Sequence, residues 1–471
     1  MPRRALWTVA ALAAGSAAIL WASPAQYLGR QQDDIVFVIA SQSLSHGSYR
    51  LFTTPGQPPI VATTPGLPAL LLPVSWLCAD RLGAYQAFSA LLLAGVPWLL
   101  WWWLRRRLGE PESVLIALLF ATSPLVLSQA GTVMSEGPYT ALAVLFLAAV
   151  ESGRWAPAGA LLLALTQGRP AGFSLLPTAL AGPWRSKDWR AALWSVGPTA
   201  AAALAWHAWA RSVSEEPGKL QMWGSAYRGL PWRQPLGVAW ENLRYFLEAL
   251  GGAFLPLGWS QAAWLAGAAL AALALRGAWE LRREEQARPA LLMLGGAAVM
   301  HALWPWHYDR YLIPVLAWLL WLAAAGAGRR ARWLLGLLLG LQLAFHSPRW
   351  LAGVEAWRRP ELARSYAWLR THAAPSDVVA SALFVRDGFY ASRPSAALPD
   401  TDDPLRFAAA LRRSHVRYVL RQDDVDVGLS QRPSAAIGRR LDRALGHLED
   451  RGLFRVAHEE REERAAIYEL R

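Results

Sequence analysis

Charged residues and cysteine are both scarce in this sequence. Only 17% of its 471 residues are charged, whereas 54% are hydrophobic and tryptophan occurs 27 times. Because a soluble protein usually carries about a quarter charged residues, this composition excludes an ordinary soluble protein. Cys78 is the only cysteine, which excludes an intrachain disulfide and leaves the redox compartment undetermined.

The hydrophobic residues are concentrated in long uncharged runs. A helix needs about 20 apolar residues to cross a bilayer, and the runs predict about eleven spans. They lie at 5–22, 84–104, 111–129, 133–150, 156–167, 170–182, 190–210, 249–275, 289–304, 311–327 and 331–347. Gly168 and Pro170 interrupt the pair at 156–182, so the number of spans there stays open. The sequence predicts a polytopic α-helical membrane protein.

Arginine is distributed unevenly among the loops between these runs. Alternate loops carry clusters such as 105–107 and 329–332, whereas the short loops on the other side carry only Arg169 and Arg310. Positive residues are retained on the cytoplasmic side, which predicts a cytoplasmic N-terminus in the cytoplasmic (inner) membrane. The same distribution accounts for much of the formal net charge of +13. Because no single basic face results, it argues against a nucleic-acid partner.

The N-terminal run has two interpretations. It follows Arg3 and Arg4 and ends near small residues at 22–25, as a cleaved signal peptide does. The apolar core over 5–22 is also long enough for a tilted span, which favours an uncleaved signal-anchor. With either interpretation, the segment from Ser23 onward is predicted to be exported.

Three predicted exported segments are long: 23–83, 211–248 and 348–471. The first begins with a predicted interfacial helix from about Asp33 and ends with an apolar run at 67–79, which is too short to span and is predicted to lie in the interface. We therefore predict a transmembrane domain over 1–347 that includes this loop, and a separate exported domain over 348–471.

The exported C-terminal segment is patterned as a soluble fold. The stretches "ARSYAWLRTHA" and "LRFAAALRRS" predict helices, whereas "DVVASAL" and "VRYVLR" predict strands. A further helix is predicted at about 436–451, and strands near 454–458 and 465–470 are predicted to form a hairpin. The segment is predicted to be a small C-terminal soluble α/β domain.

Two adjacent aspartates, Asp33 and Asp34, follow the first apolar run in the stretch "GRQQDDIVFVIASQSLSHG". One explanation is helix capping, because a carboxylate accepts hydrogen bonds from the free N–H groups at a helix start. Capping needs only one aspartate. The pair therefore favours a catalytic carboxylate at the boundary between water and lipid.

The other ionisable candidates lie in short loops on the same predicted side. They are Glu136 in "TVMSEGPYTAL", Arg169 in "TQGRPAGF", and His307, Asp309 and Arg310 in "WPWHYDRYLIP". Charges this close to hydrocarbon are costly and are usually functional. Structural alternatives stay open, since Glu136 is also placed to cap a helix, the arginines to anchor the interface, and His307 to serve a structural role.

These residue types suit one kind of chemistry. A carboxylate deprotonates a hydroxyl nucleophile or holds a divalent cation. Arginine binds phosphate through paired hydrogen bonds and stabilises it as a leaving group. A phosphate at the membrane surface is most simply that of a lipid. The residues therefore indicate group transfer from, or onto, a lipid-linked phosphate at the outer leaflet.

Several short motifs follow one another along the chain. The first comprises Asp33, Asp34, Phe37, Leu44 and Gly47. The others lie at 63–73, 134–136, 169–170, 310–314 and 366–394. Together they resemble the GT-C glycosyltransferases, in particular the bacterial branch related to protein O-mannosyltransferases and the lipid A aminoarabinose transferase. Asp34 stands where that family has glutamate, and Thr63–Thr64 replace an aromatic-proline pair, which leaves the substrate open.

The resemblance implies a catalytic role for Asp33. It would deprotonate an acceptor hydroxyl, which then attacks the anomeric carbon of a sugar carried on a polyprenyl phosphate, with inversion. Asp34 and Glu136 would orient the acceptor or assist a divalent metal ion, and no organic cofactor is implied. The sugar stays open, and so does the class of acceptor (protein, lipid or glycan).

The remaining candidate site residues are identified only by their location and charge. Arg169 and Arg310 are predicted to bind the donor phosphate, and His307 and Asp309 are predicted metal or substrate contacts. The membrane lipids and the polyprenyl-phosphate sugar are the predicted partners.

A transporter or lipid flippase without covalent chemistry is the alternative function. A transporter or flippase is expected to carry ionisable residues near the middle of its spans. The predicted spans are almost free of charge there. An inactive relative that acts as a scaffold or sensor through its C-terminal segment is a third possibility, which only an activity assay excludes.

Overall fold

The computed structural model describes residues 3–23, 28–29, 33–214, 233–256, 258–304, 307–351, 362–422 and 432–471. The described residues of 1–25, 61–70 and 80–356 form one compact unit, here called the helical unit. Those of 26–60, 71–79 and 357–471 form a second, here called the mixed unit. Parts of several predicted segments lie outside the described residues. They are 24–27 and 30–32 of the first exported segment, 215–232 of the loop at 211–248, 257 of the run 249–275, 305–306 of the loop before Arg310, and 352–361 and 423–431 of the tail.

The described residues are mainly helical. The helices are α1 (Arg3–Ala22), α2 (Asp33–Ser45), α3 (Gly66–Leu70), α4 (Leu72–Cys78), α5 (Leu82–Leu104), α6 (Glu110–Ala121), α7 (Pro124–Leu127), α8 (Glu136–Glu151), α9 (Trp155–Gly168), α10 (Leu176–Ser186), α11 (Trp189–Val213), α12 (Arg233–Gly252), α13 (Ser260–Leu281), α14 (Arg288–Ala302), α15 (Ile313–Ala327), α16 (Ala331–Leu351), α17 (Ala363–His372), α18 (Phe384–Ala391), α19 (Pro404–Arg413) and α20 (Arg432–Asp450). Short 3₁₀ turns cover Pro170–Leu175, Asp309–Leu312 and Gly328–Arg330.

Four stretches of the described chain are long and apolar enough to cross a bilayer. They are Ala5–Ala22, Leu82–Leu104, Ser260–Leu281 and Asp309–Pro348. The protein is therefore a multi-pass membrane protein, as predicted. The predicted number of about eleven spans is not confirmed. Helices α6, α8 and α9 have only 12, 16 and 14 residues, fewer than the roughly 20 that a full crossing needs.

Two predicted spans are interrupted in the structure. The run 249–275 is uncharged throughout, yet α12 ends at Gly252 and α13 begins at Ser260. Paired glycines at 251–252 disfavour the helix there, and Pro256 lacks the N–H that a continued helix needs. The run 111–129 divides at Ser123, which adopts an extended conformation before Pro124, because proline disfavours helical geometry in the residue before it.

Helices α12 and α13 approach each other closely through glycine. A side chain at Gly251 would overlap the carbonyl of Ala263, and one at Gly267 would overlap that of Leu247. Small residues allow the backbones of membrane helices to approach in this way. Most of helix α12 falls in the segment 211–248 that we predicted as exported, so the described part of that segment is mainly helical. The side of the membrane on which it lies stays a prediction.

The mixed unit is built around a five-stranded sheet. Its strands are β1 (Val378–Ser381), β2 (Ser395–Ala397), β3 (Val416–Gln422), β4 (Phe454–Glu460) and β5 (Ala465–Leu470), in the order β2-β1-β3-β5-β4. β1 is parallel to β2 and β3, and β5 is antiparallel to β3 and β4. The predicted helices, strands and hairpin of the C-terminal segment are confirmed.

Helix α18 and strand β2 were not predicted. They have 8 and 3 residues, and elements this short do not show a periodic hydrophobic pattern.

The first predicted exported loop contributes to the mixed unit. Ser395 N–H donates to the carbonyl of Thr53 at 2.8 Å. Helix α2 contacts α18, and it packs on α4, where the hydroxyls of Ser41 and Ser75 lie 2.7 Å apart. Residues 26–60 and 71–79 therefore group with the C-terminal segment, whereas the sequence alone grouped them with 1–347. The boundary at 347–348 stays a prediction about the membrane.

Candidate active site

Glu136, the predicted outside carboxylate, is buried at the first residue of α8. Only 1% of its surface is exposed. Its Oε1 lies 2.7 Å from a terminal nitrogen of Arg169 and 3.5 Å from Nε of Arg310. Residues 136, 169 and 310 are distant in sequence, and the helical unit brings them together. We call these three residues the Glu–Arg cluster.

Both arginines of the cluster lie against tyrosine rings. Arg169 adopts an extended backbone where α9 ends, and its guanidinium lies 5.0 Å from the ring centre of Tyr311. Arg310 is the second residue of the 3₁₀ turn before α15, and its guanidinium lies 4.6 Å from the ring centre of Tyr308. Stacking on aromatic faces fixes guanidinium groups without consuming their N–H donors.

The cluster combines two arginines with one glutamate and contains an unused acceptor. Two guanidinium groups face a single carboxylate, and all three side chains are at least nine-tenths buried. Glu136 Oε2 is buried and accepts no hydrogen bond from the part of the chain that the structure describes. A buried polar atom without a partner costs about 1–3 kcal/mol, so the site favours a bound group that supplies both an anion and a donor.

Helix α12 holds the segment that leads into Arg310. The side-chain amide of Asn242 donates to the carbonyls of Ala302 and Trp304, at 2.8 Å each. Tyr245 donates its hydroxyl hydrogen bond to Asp309 Oδ1. Sequence analysis missed both residues because they lie outside every motif, and only the packing of α12 brings them to this turn.

The predicted metal or substrate contacts are placed beside α12. Asp309 is engaged by Tyr245, and the ring of His307 lies 5.4 Å from that of Tyr245. Over the described ranges, no three His, Cys, Asp or Glu side chains form a group that could hold a metal ion. We derive no chemical step through a divalent metal.

The aspartate pair lies in the mixed unit, at the start of α2. Asp34 is fully buried, and its two carboxylate oxygens accept the N–H groups of Gly29 and Ile35, each at 2.9 Å. Asp33 is half-buried. The two aspartates therefore differ: Asp34 organises the local backbone as a cap does, whereas Asp33 presents the more accessible carboxylate.

Neither a protein-family model nor a curated protein sequence matches the chain. Solved structures match it in fold. ArnT from Cupriavidus metallidurans, bound to undecaprenyl phosphate, matches over 98% of this chain and 97% of its own, at 12% identity and a TM-score of 0.59. The Archaeoglobus fulgidus oligosaccharyltransferase in complex with Zn and sulfate matches over 87% of this chain and 67% of its own, at 14% identity and a TM-score of 0.57.

A second structure from Archaeoglobus fulgidus is also similar. The oligosaccharyltransferase AglB, in complex with an inhibitory peptide and a dolichol-phosphate, matches over 89% of this chain and 70% of its own, at 12% identity and a TM-score of 0.52. All of these are GT-C glycosyltransferases. The GT-C fold that the motifs predicted is therefore confirmed.

Proposed function

We propose that this protein is a membrane glycosyltransferase that moves a sugar from a polyprenyl phosphate to an acceptor hydroxyl. The observation that carries the proposal is the buried Glu–Arg cluster within a GT-C fold. Among the similar structures, ArnT is bound to undecaprenyl phosphate and AglB to a dolichol-phosphate. A polyprenyl-phosphate donor fits the charge and burial of the cluster.

The two arginines are suited to bind the donor phosphate. Each guanidinium presents several N–H donors in one plane, which match the oxygens of a phosphate. Because both are buried, their attraction for an anion is little weakened by water. Glu136 lies between them and offsets their mutual repulsion when the phosphate is absent. Its other oxygen, Oε2, is buried and has no hydrogen-bond partner among the described residues.

The reaction is a single displacement at the anomeric carbon. Asp33 takes the proton of the acceptor hydroxyl, whose oxygen forms the new bond to that carbon. The bond from carbon to phosphate oxygen breaks, and the polyprenyl phosphate leaves with the electron pair. Arg169 and Arg310 stabilise the negative charge that develops on it. One in-line displacement inverts the configuration of the sugar.

The proposed reaction also implies the partners of the protein and its location in the membrane. The donor lipid and surrounding membrane lipids are the partners, together with an acceptor protein, lipid or glycan. We place the reaction at the outer face of the cytoplasmic membrane, with a cytoplasmic N-terminus, because of the arginine distribution.

Release of polyprenyl phosphate tests the proposal. We would offer purified protein in nanodiscs a panel of polyprenyl-phosphate sugars, with and without a chelator, and follow the free lipid phosphate. Wild type should release it from one donor class, and Asp33→Asn should not. Donor binding is measured in the same samples. Neither binding nor release from any donor would contradict the proposal, and translocation of uncleaved lipid in vesicles would favour the flippase.

Removing one hydroxyl should weaken donor binding. Tyr245→Phe deletes the donor to Asp309, so the turn that carries Arg310 is less firmly held. The loss corresponds to about 1 kcal/mol, and we expect the donor KM to rise about fivefold while the acceptor KM stays unchanged. Steady-state kinetics measures both constants.

The matched control is Trp240→Phe, on the exposed face of the same helix, which should leave both constants as in wild type. An unaltered donor KM in Tyr245→Phe would contradict the assigned role of Tyr245.

A further inference from the structure

Arg386 is buried in the mixed unit, on the short helix α18. It is 2% exposed, as is its neighbour Asp387. Its Nε donates to Asp387 Oδ1 at 2.7 Å, and a terminal nitrogen donates to Gln422 Oε1 at 3.0 Å. Tyr366 also donates to Asp387 Oδ1, at 2.7 Å. These hydrogen bonds hold the guanidinium in one orientation at the end of β3.

The aliphatic part of Arg386 packs on the turn before α2. Gly29 has a positive φ of 98°, and a side chain there would overlap Cγ of Arg386. From the same helix, Tyr390 donates its hydroxyl hydrogen bond to the carbonyl of Leu28 at 2.7 Å. Helix α18 therefore contacts both described residues of this turn.

A hydrogen bond also joins Gly29 of this turn to the start of α2. Gly29 N–H donates to the carboxylate of Asp34, and Asp33 is the residue immediately before it. A shift of Gly29 would move the Asp34 carboxylate, and with it the first turn of α2.

We infer that Arg386 is a positioning residue for Asp33, acting through Gly29 and Asp34. The inference rests on the proposed function, in which Asp33 is the base. Buried ion pairs can often be replaced by apolar residues without loss of stability, so stability alone does not explain this one. Its contact with the turn that precedes Asp33 supplies a reason for its presence.

Three substitutions test the inference. Arg386→Met keeps most of the stem and removes the guanidinium, and Arg386→Lys keeps the charge. Gly29→Ala introduces a methyl group that would overlap the aliphatic part of the Arg386 side chain. Arg393→Met is the matched control, because Arg393 is a partly buried arginine of the same unit that donates to the carbonyls of Arg370 and Ala373.

Kinetics should separate positioning from folding. In Arg386→Met we expect kcat to fall about 10- to 100-fold with little change in donor KM, since a small displacement of a catalytic group has effects of this size. The acid limb of the kcat–pH profile should move, because the environment of the base changes. Arg386→Lys should recover part of the rate, and Arg393→Met should stay within about twofold of wild type.

Hydrogen exchange provides a readout that does not need activity. Peptides covering 33–45 should exchange faster in Arg386→Met than in Arg393→Met, while those covering β1 and β3 stay protected. If Arg386→Met does not fold, Gly29→Ala carries the test from the other side of the contact, and Tyr390→Phe removes the hydrogen bond from α18 to the carbonyl of Leu28. Unchanged exchange at 33–45 together with an unchanged pH profile overturns the inference.

The outcomes keep the two proposals apart. If wild type is active and Asp33→Asn inactive, but Arg386→Met behaves as Arg393→Met does, only the positioning role fails. If Asp33→Asn is fully active, the proposed base fails, and with it the assignment of Arg386 to that base.

Discussion

Asp33→Asn should abolish transfer while leaving the fold intact. A general base contributes about 10²- to 10⁴-fold to the rate, so release of polyprenyl phosphate should fall by about that factor. Asp33 is half-buried and begins α2, and the amide keeps its size. Donor binding and the melting temperature are therefore expected to stay close to those of wild type. The measurement is release of lipid phosphate, with donor binding in the same samples.

The neighbouring aspartate should respond differently. Asp34→Asn turns one of two buried acceptor oxygens into an N–H donor that faces Gly29 or Ile35. Leaving such a group unpaired costs about 1–3 kcal/mol, so this variant should lose stability as well as activity. Asp80→Asn, at an exposed carboxylate, is the control. Equal loss of stability in the Asp33 and Asp34 variants would contradict the division of roles between them.

Arg310→Ala should have the largest effect on donor binding. It removes phosphate donors and leaves Glu136 buried with one guanidinium fewer. Breaking a buried ion pair costs about 3–5 kcal/mol, and we expect donor affinity to fall at least about 100-fold. Binding of a labelled polyprenyl-phosphate sugar in nanodiscs measures the loss, and a thermal melt measures the destabilisation.

Adding Glu136→Gln to Arg310→Ala separates the loss of donor binding from the loss of stability. In Arg310→Ala combined with Glu136→Gln, the poorly compensated carboxylate is gone, so stability should partly recover while donor binding does not. Arg332→Ala is the control, since it breaks an exposed pair with Glu112 at 3.0 Å and should change little. Recovery of donor affinity in the double variant would show that Arg310 serves stability alone.

Local sequence patterns predicted the membrane character and the elements of the C-terminal fold. Apolar runs and alternating residues reflect neighbours a few positions apart, and such neighbours determine whether a segment is a helix, a strand or a membrane span. Helix ends were harder to predict, because the run 249–275 is uncharged throughout and the helix break depends on glycine and proline within it. The elements α18 and β2, with 8 and 3 residues, are shorter than the roughly 11-residue window in which a periodic pattern is recognised.

The sequence by itself determined that this protein is a membrane protein with a GT-C-like order of motifs, and it placed Glu136, Arg169 and Arg310 on one predicted side. Only the tertiary structure decided that these three side chains meet, that Asp34 serves the backbone while Asp33 is more accessible, that Tyr245 of α12 bonds Asp309, and that Arg386 packs on Gly29. The reason is that these contacts depend on how distant segments pack together. A local pattern of hydrophobicity does not determine which distant residue will contact a buried charged side chain.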